Sequence, residues 1–244
     1  MPLKNREKPD RRAYVDMPYD MRDKDAEMRA DVEMAARIIE DRALKTRQFF
    51  NTIAEHWDTL SREVLGGFDL AGAVCDTMPE GCDTSVDLGC GTGIVLERMR
   101  GRARQIIGVD GSPRMLELSR RRLAGVEGEP EGVSLRIGEL SHLPLRDCEA
   151  DFASINMVLH HLSNPENALA EIRRVLRSGG LLVVADFDRH TQERMRLDYG
   201  DLWLGFDEAT MARLLHAASF EVVSTTRYPV EQGLALNLTL ARRL

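Results

Sequence analysis

The sequence predicts an α/β protein built on a doubly wound, mostly parallel sheet. Three observations carry this reading. After Thr84, short apolar runs alternate with helical patterns. Those runs are continuously apolar, as in strands covered on both faces. The last two are joined by "TTRYPVEQGL", too short for a crossover helix, so they form an antiparallel hairpin at the sheet edge.

Taken in order, residues 1–22 mix charge and proline and read as an arm. From Asp23 to Arg47, apolar residues Met28, Val32, Ala35, Ile39 and Ala43 recur at three- and four-residue steps. The stripe continues through Phe49, Ile53 and Trp57. The chain thus divides into an arm and helix, 1–47, and a main domain, 48–244. Strands are predicted at about 84–88, 105–110, 133–137, 151–156, 181–186, 220–225 and 232–241. Helices fall at about 93–101, 113–123, 165–176 and 208–217. Pro113 after Ser112 opens a helix, and Gly179-Gly180 separates another from "LLVVADF".

Composition narrows the function. A net charge of −7, with no basic stripe, argues against a nucleic-acid partner. There is no apolar run of about 18 residues to span a membrane. "MPLKNREKPDRR" lacks the apolar core of a secretory signal, so a cytoplasmic protein is expected. Cys75, Cys82, Cys90 and Cys148 form no CxxC pair and no metal-ligand spacing, so reduced thiols and no metal are expected.

The turn after the first strand is Asp87-Leu88-Gly89-Cys90-Gly91-Thr92-Gly93. Glycines there let backbone approach a ligand at the carboxyl end of a parallel strand. The spacing is G-x-G-x-G, not the G-x-G-x-x-G of dinucleotide binders, and no Gly-Lys-Ser/Thr follows. The carboxylate of Asp87 would repel a phosphate and attract a cationic amino group. Asp110 ends the second strand, 17 residues beyond Gly93, where a carboxylate can accept from both ribose hydroxyls. Glu139 follows the third strand and suits an adenine amine, with the Leu140 N–H beside it.

"VDLGCGTG", "IIGVDGSPRMLELSRRRL", "IGELSHLPL" and "DFASINMVLHHLSNPENALAEIRRVLRSGGLLVVADF" together resemble the successive motifs of class I S-adenosylmethionine-dependent methyltransferases. The resemblance implies their Rossmann-like fold, a seven-stranded sheet with one reversed strand. It implies that Asp87, Gly89, Cys90, Gly91 and Gly93 border the methionine part of the cofactor. Asp110 would hold the ribose, Gly111 or Met115 would lie by the adenine, Glu139 and Leu140 would border it, and Asn156 would lie near the sulfonium. Glu139 departs from the Asp more usual there. The segment "RHTQERMRLDYGDLWLGFDEATMARLLHAASF" is similar to the methyltransferase half of bacterial proteins with an ArsR-type winged-helix reader in front. Residues 1–47 are too short for such a reader.

The expected function is methyl transfer to a small-molecule acceptor. Orientation can supply most of the catalysis, with a base for acceptors that must lose a proton. His160 and His161 are the catalytic candidates, a structural helix-start role being the alternative; His190 is a further candidate. Trp203 and Phe206 read as core rather than lid. The acceptor would lie between the fourth strand end, the 186–206 segment and the N-terminal helix, with Phe49 and Trp57 as a roof. A homodimer through that helix is a further expectation. Rival readings are a cofactor-binding regulatory protein without turnover, an arsenite methyltransferase, and a nicotinamide oxidoreductase, which the glycine spacing disfavours.

Overall fold

A computed structural model describes residues 19–124 and 132–244. The chain falls into two compact units, residues 1–42 and 43–244. In the first, the helix α1, Tyr19–Ile53, begins, and Met28, Val32 and Ile39 of the predicted stripe are exposed. Residues 1–18, most of the predicted arm, lie outside the described residues.

In the second unit α1 ends in a 3-10 turn, Ala54–His56, followed by α2, Trp57–Leu65, and α3, Leu70–Cys75. Strands and helices then alternate: β1 Cys82–Leu88, α4 Ile94–Met99, β2 Ala103–Asp110, α5 Pro113–Ala124, β3 Val133–Ile137, β4 Ala150–Asn156, α6 Pro165–Val175, β5 Leu176–Phe187. The short α7, Arg194–Asp198, and α8, Glu208–Ala217, precede the hairpin β6 Phe220–Pro229 and β7 Ala235–Arg243. The sheet runs β3-β2-β1-β4-β5-β7-β6, with β7 antiparallel to both neighbours. Strand order reverses between β1 and β4, which opens the crevice where such sheets bind ligands.

The central strands are apolar because both faces are covered. Val86, Leu88, Val109 and Ile155 join Leu169 and Ile172 of α6 in one core. Cys90, Leu96, Met99 and Phe152 join Leu116 of α5 in the other. Local chemistry fixes the helix starts: the Asn164 side chain accepts from Asn167 N before Pro165, and Asp207 from Thr210 N. The glycine pair does not separate α6 from β5, as its sequence suggested. The strand starts at Leu176, and residues 177–180 leave the register between Leu176 and Leu181. A Cβ on Gly180 would lie 2.8 Å from Arg177 O, so the irregular segment itself requires the glycine.

Candidate active site

The turn after β1 is built from left-handed backbone. Gly89, Gly91 and Gly93 have φ of 70°, 51° and 84°, which only glycine adopts cheaply. A Cβ on Gly89 would lie 2.6 Å from Val158 Cγ2, and one on Gly93 2.4 Å from Ser119 Oγ. At these two positions the missing side chain answers to the protein's own packing. Only Gly91 leaves room: its Cβ would meet nothing closer than Trp57 Nε1 at 3.8 Å. The side chain of Cys90 is buried, with Sγ 3.0 Å from where a Cβ on Gly108 would stand, so only its backbone is left to face a ligand.

Asp87 is buried at 2% exposure, and the register sets Ser154 of β4 beside it. Its Oδ1 accepts from Ser154 Oγ at 2.6 Å and from Asn156 Nδ2 at 3.1 Å. Burial pushes its pKa up to about 7 despite those bonds, and nearby Asp110 adds to the rise. Asn156 Oδ1 is buried without a partner.

Asp110 is held by the loops after β1 and β2. Its Oδ2 accepts from Gly91 N and its Oδ1 from Ser112 N, both at 2.8 Å. Burial raises its pKa against these two bonds, with Glu139 contributing. Beyond it, a Cβ on Gly111 would lie 3.7 Å from Glu139 Oε1. Met115 is buried and Leu140 half-buried.

Residues 47–58, the end of α1, the turn after it and the start of α2, are tied to all three strand-end loops. Thr92 Oγ1 donates to Asp58 Oδ1 at 2.6 Å, and Arg122 pairs with the same carboxylate. Ser112 Oγ donates to Asn51 Oδ1 at 2.6 Å, and Arg114 pairs with Glu55. Arg47 Nη1 meets Glu139 Oε1 at 2.9 Å.

A buried polar cluster lies past the ends of β4 and β5. Met157, at φ 58°, turns the chain into a 3-10 turn, Leu159–His161, that carries both histidines at about 2–3% exposure. His160 Nδ1 meets Asp186 Oδ1 at 2.7 Å, and the carboxylate also accepts from Phe187 N at 2.7 Å. Leu202 N and Trp203 N both donate to His160 O, which draws Asp201 into the cluster. Asp201 Oδ1 lies 3.6 Å from His160 Nε2 and 3.8 Å from His161 Nδ1. Neither Asp201 oxygen has a hydrogen-bond partner, and neither has His161 Nε2.

Burial opposes charge on His160, but Asp186 and Asp201 outweigh it and its pKa rises. Burial and the charge of His160 hold His161 well below the usual range. Burial lifts Asp201 to about 6. These residues line a cavity of about 330 Å³, its mouth included, otherwise walled mainly by Trp57, Leu60, Val64, Leu65, Met157, Phe187 and Met195.

The structure therefore brings Asp87, Gly91, Asp110 and Asn156 to one side of the crevice and His160 and His161 to the other. Two aromatic rings stand next to the histidines, Phe50 at 4.9 Å from His161 and Phe187 at 5.1 Å from His160; the predicted Phe49 packs on Phe50 and beside Gly200. Trp203, expected in the core, is 44% exposed and donates to Leu162 O, whereas Phe206 is buried. His190 contacts Phe187 edge-on, and its Nε2 is buried without a partner. Asp201 and Tyr199, which also lines the cavity, escaped the sequence reading. The only signal for Asp201 was an acid two residues before Trp203, with nothing local to pair it with β4. The cysteines do not gather here: Cys75, Cys82 and Cys90 sit in the α4–α5 core, and Cys148 precedes β4 at the opposite end of that strand.

Residues 86–184 match a family model described as "Methyltransferase domain". The match runs from β1 into β5, the part of the sheet that carries the crevice, and spans less than half of the chain. A protein from transposon Tn4556 of Streptomyces fradiae is 37% identical over 123 residues, 49% of this chain and 34% of its own length. A demethylmenaquinone methyltransferase of Desulfitobacterium hafniense is 28% identical, with 80% of each chain covered. The chain thus spans about a third of the first relative and four-fifths of the second. An S-adenosylmethionine-dependent methyltransferase from Mesorhizobium loti shares the fold at TM-score 0.60 and 19% identity, covering 72% of this chain and 99% of that one.

The cofactor of the domain is S-adenosylmethionine, and the residues present fit it. Asp87 and the orphaned Asn156 Oδ1 offer acceptors for an ammonium, Gly91 leaves the turn open, and Asp110 stands at a strand end fixed by two amides. When bound, this cofactor supplies an electrophilic methyl group on a sulfonium.

Proposed function

We propose that the protein transfers a methyl group from S-adenosylmethionine to a small acceptor with a mostly apolar body and one ionisable oxygen. The observation that carries this is the buried His160–Asp186 pair at the polar end of an otherwise apolar cavity. Asp186 accepts from His160 Nδ1–H, so the imidazole turns Nε2 toward Asp201, among the side chains that line the cavity. Asp87, Gly89, Cys90, Gly91 and Asn156 hold the methionine part in this reading. Asp110, Gly111, Met115, Glu139 and Leu140 hold the adenosine, and Gly93 shapes the turn.

The relative from D. hafniense is named for demethylmenaquinone, consistent with an acceptor of apolar character. Residues 47–58 close over the cofactor side in this reading and must release to admit it. Arsenite methylation fits poorly, because the thiols converge nowhere near the histidines. The ArsR-type likeness gains no support, since no winged-helix reader stands among the described residues.

The test is a panel of small acceptors, followed by formation of S-adenosylhomocysteine. His160→Ala and His161→Ala should keep cofactor affinity, with transfer reduced roughly 10²- to 10⁴-fold in at least one of them. Wild-type turnover in both would return the pair to a structural role. Cofactor binding with no transfer across the panel would favour a regulatory protein without turnover.

A further inference from the structure

Two facts about the buried cluster stay unexplained by packing. Asp186 accepts from His160 Nδ1, so in the neutral ring Nε2 presents a lone pair. That lone pair faces Asp201 Oδ1 at 3.6 Å, too far for a hydrogen bond, and Asp201 is 3% exposed with both oxygens unpartnered. A buried carboxylate is costly unless a charge or donors satisfy it. His161 Nδ1 faces the same oxygen at 3.8 Å and donates to Gly200 O at 3.3 Å, a bond it would give up on becoming a ligand. Three groups able to ligate a metal, from two chain segments, thus converge on one point, all within 4.8 Å of one another.

We propose that His160, His161 and Asp201 bind one divalent first-row transition-metal ion. The spacing suits it. Ligand bonds of about 2.1 Å at tetrahedral angles put donor atoms roughly 3.4 Å apart, close to the 3.6 and 3.8 Å from Asp201 to the two histidines, and the set, within 4.8 Å overall, would draw in around an ion. Imidazole and carboxylate together suit zinc, cobalt or iron rather than calcium. The Asp186–His160 bond is the outer-shell support that metal-ligating histidines generally have. Three protein ligands leave a position open, and all three line the cavity, so that position is where an oxygen of the acceptor would bind. This last point rests on the function proposed above; the ion site itself does not. The sequence conceals the set because the ligands lie 40 residues apart on two segments.

The experiment uses tag-free protein stripped with a chelator and titrated with Co²⁺ by calorimetry and visible absorption. One ion per chain should bind, with the intense absorption of a four- or five-coordinate site. Asp201→Asn should abolish it, and Asp186→Asn should weaken it about 10- to 100-fold. Asp201→Asn removes an unpartnered buried charge, so it should fold; unchanged S-adenosylmethionine affinity is the check. Should that variant fail to fold, His161→Ala serves in its place. Failure of wild type to take up Co²⁺, or unaltered uptake in the Asp201 or His161 variant, overturns the site. Equal methyl transfer by stripped and Co²⁺-loaded protein overturns the acceptor-binding role while leaving the methyltransferase reading standing.

Discussion

Asp87 makes a prediction that can be worked through in numbers. Its folded pKa of about 7 exceeds the ordinary carboxylate value because burial outweighs the bonds from Ser154 and Asn156. A raised carboxylate pKa means that the folded state holds its proton longer than the unfolded state does. Folding is therefore unpenalised below the unfolded pKa, loses stability as pH rises toward 7, and levels off above it. The shift of roughly three units corresponds to about 4 kcal/mol at pH 8 and about 1.5 kcal/mol at pH 5. Asp87→Asn keeps an acceptor for Ser154 Oγ and Asn156 Nδ2 but cannot ionise. Without cofactor, the variant should be more stable than wild type by several kcal/mol at pH 8, and by much less at pH 5. Urea unfolding at both pH values measures this. Cofactor affinity should move oppositely, falling about 10- to 100-fold at pH 8 with loss of a charge-assisted bond to the amino group. Wild type should also release a proton on binding near pH 6.5, seen as a buffer-dependent heat. A variant no more stable than wild type at pH 8 would refute the burial argument. Raised stability with unchanged affinity would refute the amino-group assignment alone.

Gly89→Ala should cost about 1–3 kcal/mol by thermal unfolding, because φ is 70° and its Cβ would strike Val158; adding Val158→Ala should recover only the steric part. Asp110→Ala should weaken cofactor binding by roughly 2–4 kcal/mol in calorimetry and lower the melting temperature too, since Gly91 N and Ser112 N lose their acceptor. Unchanged affinity would remove the ribose assignment. Asp58→Ala releases both Thr92 and Arg122, so stopped-flow measurement should show faster cofactor release. An unaltered rate would mean that residues 47–58 do not gate the site.

The sequence by itself determined the layers and the strand ends at which the candidate site lies. Continuous apolar runs such as "LLVVADF" can only be buried strands, and the short link before the last run forces an antiparallel hairpin. Asp87, Gly91 and Asp110 could be placed at one crevice because each lies at or just past a strand end, and parallel strands bring consecutive ends together. Register and side-chain direction are non-local, and there the tertiary structure decided. It showed that Gly89 and Gly93 make room for Val158 and Ser119, and that Phe50 rather than Phe49 meets His161. It let β5 begin ahead of its glycines, because Leu176 pairs with Ala150 across an irregularity no local propensity encodes. Above all it brought Asp201 against His160 and His161. Hydrogen bonds from Leu202 N and Trp203 N to His160 O set that contact, and a sequence cannot announce which distant carbonyl its amides will find.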